Sequence, residues 1–261
     1  MSAAGNLKSW LRGHLTASRA LALKYQYARA IHGEDLARLA RRFGTDKEGA
    51  HFYCQHYQRH FEALRQKPIN LLEIGIGGWD DSTKGGESLR MWKAYFPHGR
   101  INGIDVVDKR GIEEARIRTF AGSQVDEEFL KAVIAEIGTP DIIIDDGSHM
   151  PEHVIHSFHL LFPLLAPNGI YVVEDLQTSY WGPDSRITGN YGGSSDLSAP
   201  HTSMNFLKSL ADCLNYEEFP LDRYEPSYFD RNIVGVSFYH NLAFIQKGTN
   251  DEGSNMLGKR F

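Results

Sequence analysis

Two runs place acids where an apolar segment stops: Ile144-Asp145-Asp146-Gly147-Ser148-His149 and Val173-Glu174-Asp175. If both segments are strands ending at one crevice, their carboxylates repel one another unless a cation or shared protons compensate. Hard oxygen ligands of this kind suit Mg²⁺, Mn²⁺ or Ca²⁺ rather than zinc, which makes Asp146, Glu174 and Asp175 candidate ligands. Helix capping by Asp146 or Ser148 and loop stabilisation by Asp175 is the blander account; it explains one acid per run, not two. His149 follows Asp146 by three residues, and a neutral imidazole there could take a proton from a metal-bound hydroxyl near neutral pH. His153, His156 and His159 continue at helical spacing, but no HExxH occurs, and they read as surface or supporting residues.

A second constellation lies upstream. Leu71-Leu72-Glu73-Ile74-Gly75-Ile76-Gly77-Gly78 puts glycines where a buried strand must turn, so that a ligand can press against bare backbone. The GxGxxG dinucleotide fingerprint fails, because Asp80 stands where its last glycine belongs. An acid at Glu73 disfavours a phosphate and suits a cationic group. Asp105, at the end of the next apolar run, is placed to accept ribose hydroxyls. Glu73, Gly75, Gly77 and Asp105 together describe a site for a positively charged nucleoside, and S-adenosylmethionine has that chemistry.

Positioning these groups needs a particular architecture. The runs Ile69–Ile76, Ile101–Val107, Ile117–Phe120, Ile142–Asp145 and Ile170–Glu174 lack polar alternation and read as strands buried on both faces. Helical stretches at Glu87–Tyr95, Asp126–Ile137 and Glu152–Leu165 separate them, so the fold expected is α/β. It is a Rossmann-like doubly wound sheet, mostly parallel. Val234–Tyr239 and Asn241–Gln246 are too close for a crossover helix and form an antiparallel C-terminal hairpin, preceded by a helix at Thr202–Leu214. Ser9–Arg42 has helical periodicity with a break at Gly33, and His51–Gln66 reads as a further helix whose aromatics pack the core. The division expected is an N-terminal helical segment (1–45), a cofactor-binding domain (46–250) and a flexible tail (251–261). Gly182–Pro200, rich in Gly, Ser, Pro and Asp, reads as a lid, with Tyr180 and Trp181 at its root as candidate substrate contacts.

Composition narrows the classes. With 28 Lys+Arg against 33 Asp+Glu, a formal net charge of -5 offers no basic face for a nucleic-acid backbone. Cys54 and Cys213 make no CxxC, which argues against a disulfide scaffold and fits a reducing, cytoplasmic compartment. No stretch approaches a membrane span.

The chain resembles the S-adenosylmethionine- and metal-dependent sugar O-methyltransferases of actinobacteria, of the mycinamicin and tylosin macrolide deoxysugar type and their polysaccharide and rhamnosyl relatives. The resemblance is carried by Phe43-Gly44-Thr45-Asp46-Lys47, Leu72–Gly78, Gly85-Gly86-Glu87-Ser88-Leu89-Arg90-Met91-Trp92-Lys93, Ile144–His149 and Val173–Tyr180. It implies Mg²⁺ on Asp146, Glu174 and Asp175, with His149 as general base. It implies a cofactor pocket using Glu73, Gly75, Ser88, Asp105 and Gln124, to which Gly77 and Asp145 are added from their strand ends. The acceptor implied is a sugar hydroxyl of a polysaccharide, such as a methylmannose polysaccharide, or of a glycosylated small molecule, and a homo-oligomer is compatible with it. Rival readings are a cephalosporin-hydroxylase-type enzyme, a nicotinamide dehydrogenase and a non-catalytic sugar-binding protein.

Overall fold

The computed structural model describes residues 17–183, 185–187, 191–219 and 223–254, with 17–22 described by their backbone alone. The start of the N-terminal segment, residues 255–261 of the tail, and residues 184 and 188–190 of the Gly182–Pro200 loop lie outside the described residues.

The apolar runs become one seven-stranded sheet. Its strands are β1 (Asn70–Ile74), β2 (Arg100–Asp105), β3 (Ile117–Ala121), β4 (Ile142–Asp145), β5 (Ile170–Val173), β6 (Ile233–Tyr239) and β7 (Leu242–Lys247). The order is β3-β2-β1-β4-β5-β7-β6. Strands β1 to β5 run parallel, whereas β7 is antiparallel to both β5 and β6. The expected doubly wound sheet with an antiparallel C-terminal hairpin is therefore the fold. Tyr239 pairs with Leu242, and between them Asn241 takes the positive φ of 58° that a tight hairpin turn demands.

Strands β1, β4 and β5 are buried at every position because helices cover both faces. Alternation sorts their side chains into two cores. Leu71, Ile142, Ile144 and Val172 face the helices that precede the sheet, α1 (Ala17–His32), α2 (Leu36–Phe43) and α3 (Cys54–Phe61), together with α4 (Glu87–Tyr95). Leu72, Ile143, Tyr171 and Val173 face α5 (Glu127–Ile137), α6 (Pro151–Leu161) and α7 (Ser203–Cys213). The aromatics Tyr57 and Phe61 of α3 pack against Trp92, the core role expected of them.

Local chemistry sets the element ends. Gly33 breaks the first helical stretch, where a Cβ would stand 2.3 Å from the Arg29 carbonyl oxygen. Asp126 and Thr202 cap α5 and α7 by accepting backbone N–H bonds. Strand β2 stops at Asp105 rather than Val107, because Asp105 Oδ1 accepts the Val107 N–H at 2.9 Å and turns the chain outward. A short helix α8 (Tyr228–Asn232) was not anticipated; a Ser227–Asp230 capping box starts it.

Candidate active site

Strand order reverses at β1, which pairs with β2 on one side and β4 on the other. Such a switch point opens a crevice beyond the strands' carboxyl ends. There Gly75 adopts φ 79°, and a Cβ on it would lie 2.1 Å from the Asp146 carbonyl oxygen. The glycine turn and the acidic end of β4 are thus in backbone contact. Two hollows, of about 250 and 210 Å³, share Gly75 as a wall. The first is lined by Lys47, Gly77, Trp79, Ser88 and Asp146, the second by Asp105, Gly122, Ser123, Gln124 and Gly147.

Five of the seven expected cofactor residues, Gly75, Gly77, Ser88, Asp105 and Gln124, line these hollows. Glu73 and Asp145 stand behind the walls. Glu73 is fully buried and accepts bonds from Ser88 Oγ at 2.9 Å and Trp92 Nε1 at 3.2 Å; burial pushes its pKa up to about 7. Asp145 accepts from Ser157 Oγ at 2.6 Å and Gln124 Nε2 at 3.1 Å, and burial raises its pKa. In this structure both acids therefore orient the wall residues Ser88 and Gln124 from behind.

The metal candidates carry a feature that spacing did not suggest. Lys47, 1% exposed, directs Nζ to Glu174 Oε1 at 2.6 Å, Asp146 Oδ2 at 2.8 Å and Glu73 Oε1 at 3.2 Å. Burial pulls the ammonium's pKa down, but Asp146, Glu174 and Glu73 outweigh it and hold the pKa well above its ordinary value. Burial raises the Asp146 and Glu174 carboxyls against the opposing pull of Lys47. Tyr57 also donates to Glu174 Oε1, and Tyr53 donates to Asp175 Oδ1 at 2.7 Å. Among the described residues the hydrogen bonds to these three acids all go to one oxygen of each. Glu174 Oε2, Asp146 Oδ1 and Asp175 Oδ2 keep their lone pairs, hard anionic oxygens of the kind a divalent cation takes, although among the described residues no group of close ligand atoms holds Glu174 and Asp175 together.

Asp146 belongs to two groups of mutually close ligand atoms, each within 4.8 Å: an outer one with His149 and Asp175, and a buried one with Glu73 and Glu174. His149 Nε2 lies 3.7 Å from Asp175 Oδ2, and His51 Nε2 lies 3.8 Å from Asp175 Oδ1. His149 and Asp175 both hold left-handed backbone, φ 57° and 53°, a cost that non-glycine residues carry chiefly where the surroundings over-determine them. Thr178, 2% exposed, does so here: its Oγ1 donates to His149 O at 2.7 Å and to Asp175 O at 3.1 Å.

Capping does not account for the acids. Met150 occupies the N-cap of α6, and Asp175 precedes the 3₁₀ turn Leu176–Tyr180 without a side-chain cap bond. His153 bonds Ser148 Oγ at 2.9 Å, and His159 packs on Phe206 and Phe229, as supporting residues. Tyr180 is exposed, and Trp181 meets Tyr191 edge-on at 5.5 Å. Loop residue Tyr191 also lines a separate cavity of about 580 Å³ with Met150, Ile155 and His156. Sequence reasoning gave no place in the site to Lys47 or His51 and only a core-packing role to Tyr53 and Tyr57. The available signal was electrostatic: acids crowded at strand ends call for a buried cation, and the Gly44-Thr45-Asp46-Lys47 turn supplies one.

No protein-family model matches the chain. It is 47% identical, over 84% of its length and 54% of the relative's, to the mycinamicin VI 2''-O-methyltransferase of Micromonospora griseorubida. It is 48% identical, over 84% of its length and 54% of the relative's, to the demethylmacrocin O-methyltransferase of Streptomyces fradiae. Among solved structures, the MycE methyltransferase of the mycinamycin biosynthetic pathway, in complex with Mg and SAH, aligns with a TM-score of 0.80 at 46% identity, covering 87% of this chain and 57% of that one. The chain thus spans little more than half the length of the relatives it matches.

Proposed function

We propose that this chain, a homologue of the actinobacterial sugar O-methyltransferases, is itself an S-adenosylmethionine- and Mg²⁺-dependent O-methyltransferase acting on a sugar hydroxyl. The acceptor is a glycosylated natural product, as with the relatives' printed substrates, or a polysaccharide. One observation carries the reading. Asp146 lines the same hollow as Gly75, Gly77 and Ser88 and lies in the group of close ligand atoms with His149 and Asp175. A methyl donor, a cation and a base are thereby offered one meeting point.

Gly122, Ser123, Gln124 and Asp105 would hold the nucleoside, and Gly75, Gly77 and Ser88 the amino-acid end. Asp146, Glu174 and Asp175 would hold the ion through the oxygens that Lys47, Tyr57 and Tyr53 leave without hydrogen bonds. When bound, S-adenosylmethionine supplies a methyl group on a sulfonium and the ion supplies Lewis-acid polarisation of an acceptor hydroxyl. His149 receives the hydroxyl proton at Nε2 as the oxygen becomes nucleophilic, and Asp175 beside it steadies the imidazolium. Thr178 fixes the backbone of both residues, so their alignment exists before substrate arrives. Tyr180 and Trp181 would contact the acceptor sugar and help exclude water from it.

The test is incubation with methyl-labelled S-adenosylmethionine, Mg²⁺ and a panel of macrolide glycosides, rhamnosides and partly methylated mannose oligosaccharides. Label should pass to a sugar in a chelator-sensitive manner. Full transfer in excess chelator removes the ion from the reaction. Failure to bind S-adenosylmethionine by calorimetry refutes the enzyme reading in favour of a sugar-binding protein.

A further inference from the structure

We infer that Trp79 is a cofactor-binding residue, an aromatic cover over the amino-acid end of S-adenosylmethionine, and that Lys109 is the positioning residue that holds it there. The inference rests on the cofactor reading above and adds two residues to it. Three features converge on the turn from Gly78 to Gly85. Trp79 is 92% exposed, more than any other large apolar side chain among the described residues. Core packing cannot account for an indole almost wholly in water. It nevertheless lines the hollow of about 250 Å³ together with Gly75, Gly77, Ser88 and Asp146. Its backbone is left-handed, φ 47°, a conformation that a bulky residue seldom keeps without support.

Lys109 gives that support. It is 1% exposed, and among the described residues no carboxylate pairs with it. A buried ammonium is costly unless acceptors take its protons. Here Nζ donates to Trp79 O and Asp81 O, at 2.7 Å each. Asp81 O also accepts the Lys84 N–H, and the Asp81 N–H reaches Gly78 O, both at 3.1 Å. At the base of the turn Gly86 N–H bonds Ile76 O at 2.7 Å, and a Cβ on Gly78 would stand 2.3 Å from Lys84 O. The turn is thus closed at its base and tied to the chain that follows β2 and Asp105. The ligand chemistry that suits the ring is cationic. Asp46, Glu87 and Asp146 line the hollow against one lysine, Lys47, so its field favours positive charge. The amino-acid end of S-adenosylmethionine brings an ammonium beside a sulfonium, and an indole face attracts both.

Isothermal titration calorimetry with two probes tests this. One is S-adenosylmethionine; the other is 5′-methylthioadenosine, which keeps the nucleoside and a thioether sulfur but lacks the amino-acid end. Trp79→Ala should weaken S-adenosylmethionine about tenfold and leave 5′-methylthioadenosine within about twofold, whereas Trp79→Phe should recover most of the loss. Lys109→Met should also weaken S-adenosylmethionine selectively, and Lys109→Met/Trp79→Ala should bind no more weakly than Trp79→Ala, because the ring's contribution is lost only once. Should Lys109→Met fail to fold, by circular dichroism, Lys109→Gln takes its place, keeping a hydrogen-bond donor without the charge. Unchanged S-adenosylmethionine affinity in Trp79→Ala overturns the inference, as does an equal loss for both probes, which general loosening would give. Losses that add in the double variant overturn the part given to Lys109. A wild-type chain that binds neither probe overturns the cofactor reading and this inference with it, whereas normal wild-type binding that Trp79→Ala leaves unchanged overturns this inference alone.

Discussion

Gly75→Ala tests whether the glycine turn is held against the acidic end of β4. Two costs follow from the structure. Left-handed backbone, φ 79°, costs a residue with a Cβ about 1–2 kcal/mol. The new Cβ would also meet Asp146 O at 2.1 Å, with the Asp146 carbonyl carbon and Gly147 Cα at 2.7 Å. These are backbone atoms that cannot rotate away, and relief of the 2.1 Å contact needs a shift of about 1.4 Å to reach an ordinary contact distance of about 3.5 Å. The turn is pinned by Gly75 N–H to Ile104 O at 2.8 Å and Asp146 N–H to Ile74 O at 2.9 Å. Stretching both bonds forfeits about 1–3 kcal/mol. Gly44→Ala is the control: φ is 82° with nothing within 4 Å of the new Cβ, so it carries the backbone cost alone. At about 2–4 °C per kcal/mol for a chain of this size, Gly75→Ala should melt roughly 2–12 °C below Gly44→Ala in scanning calorimetry. It should also lose S-adenosylmethionine affinity in titration calorimetry, since the Cβ enters the wall that both hollows share. Equal melting temperatures for the two variants would refute the close approach.

Three further outcomes follow. His149→Asn, a residue that tolerates left-handed backbone, should retain S-adenosylmethionine binding while methyl transfer falls by about 10²–10⁴; turnover within twofold of wild type removes His149 as the base. Thr178→Val should lower kcat by roughly tenfold with little change in cofactor affinity, because the bonds it loses steady His149 and Asp175; an unchanged kcat would show that their backbone holds without it. Burial holds the imidazoles of His56, His60 and His159 below their ordinary 6.5, so the folded chain keeps them neutral while the unfolded chain takes up protons near 6.5. The stability they contribute is therefore complete above that pH and is lost as pH falls. Between pH 7 and 5.5, His60→Phe, at a ring stacked on Phe244, should lose less melting temperature than wild type, because the opposing stabilisation from proton uptake by the buried Glu73 carboxyl is common to both chains; a greater loss in that variant contradicts the assignment.

What the sequence disclosed was whatever periodicity and punctuation encode. Strands buried on both faces, such as Ile142–Asp145, read directly because nothing polar interrupts them. Residues at their ends follow from topology, since the switch point between β1 and β4 brings Gly75 to Asp146 whatever the details. Depth is harder to read. Glu73 and Asp145 carry the same residue types as groups that touch a ligand, yet each lies one layer behind the wall, and no pattern along the chain distinguishes a carboxylate facing a cleft from one supporting its neighbour. The hydroxyl partners of Asp175 and Glu174 were hidden for another reason: Tyr53 and Tyr57 fit the aromatic stripe of α3 and its approach, and a core-packing ring does not advertise that its hydroxyl ends on an acid.

That last point bears on where the site's chemistry is set. The ends of β4 and β5 bring Asp146 beside Asp175 on one side and beside Glu174 on the other, but delivery alone leaves self-repelling acids. The groups that make them tolerable, Lys47, Tyr53 and Tyr57, come from the short stretch between α2 and the middle of α3, outside the strand-and-helix alternation. Each binds one oxygen of its acid, which lowers the repulsion and at the same time decides which oxygen remains. Substitutions in that stretch should therefore change ion affinity and selectivity before they change the fold, because the acids themselves are fixed by the sheet. Tyr53→Phe is the sharpest case: it leaves the strands untouched, releases Asp175 Oδ1 from its 2.7 Å bond, and should alter the preference for Mg²⁺ over the larger Ca²⁺, measured as competing affinities. A preference identical to wild type would show that Asp175 is aligned by β5 alone.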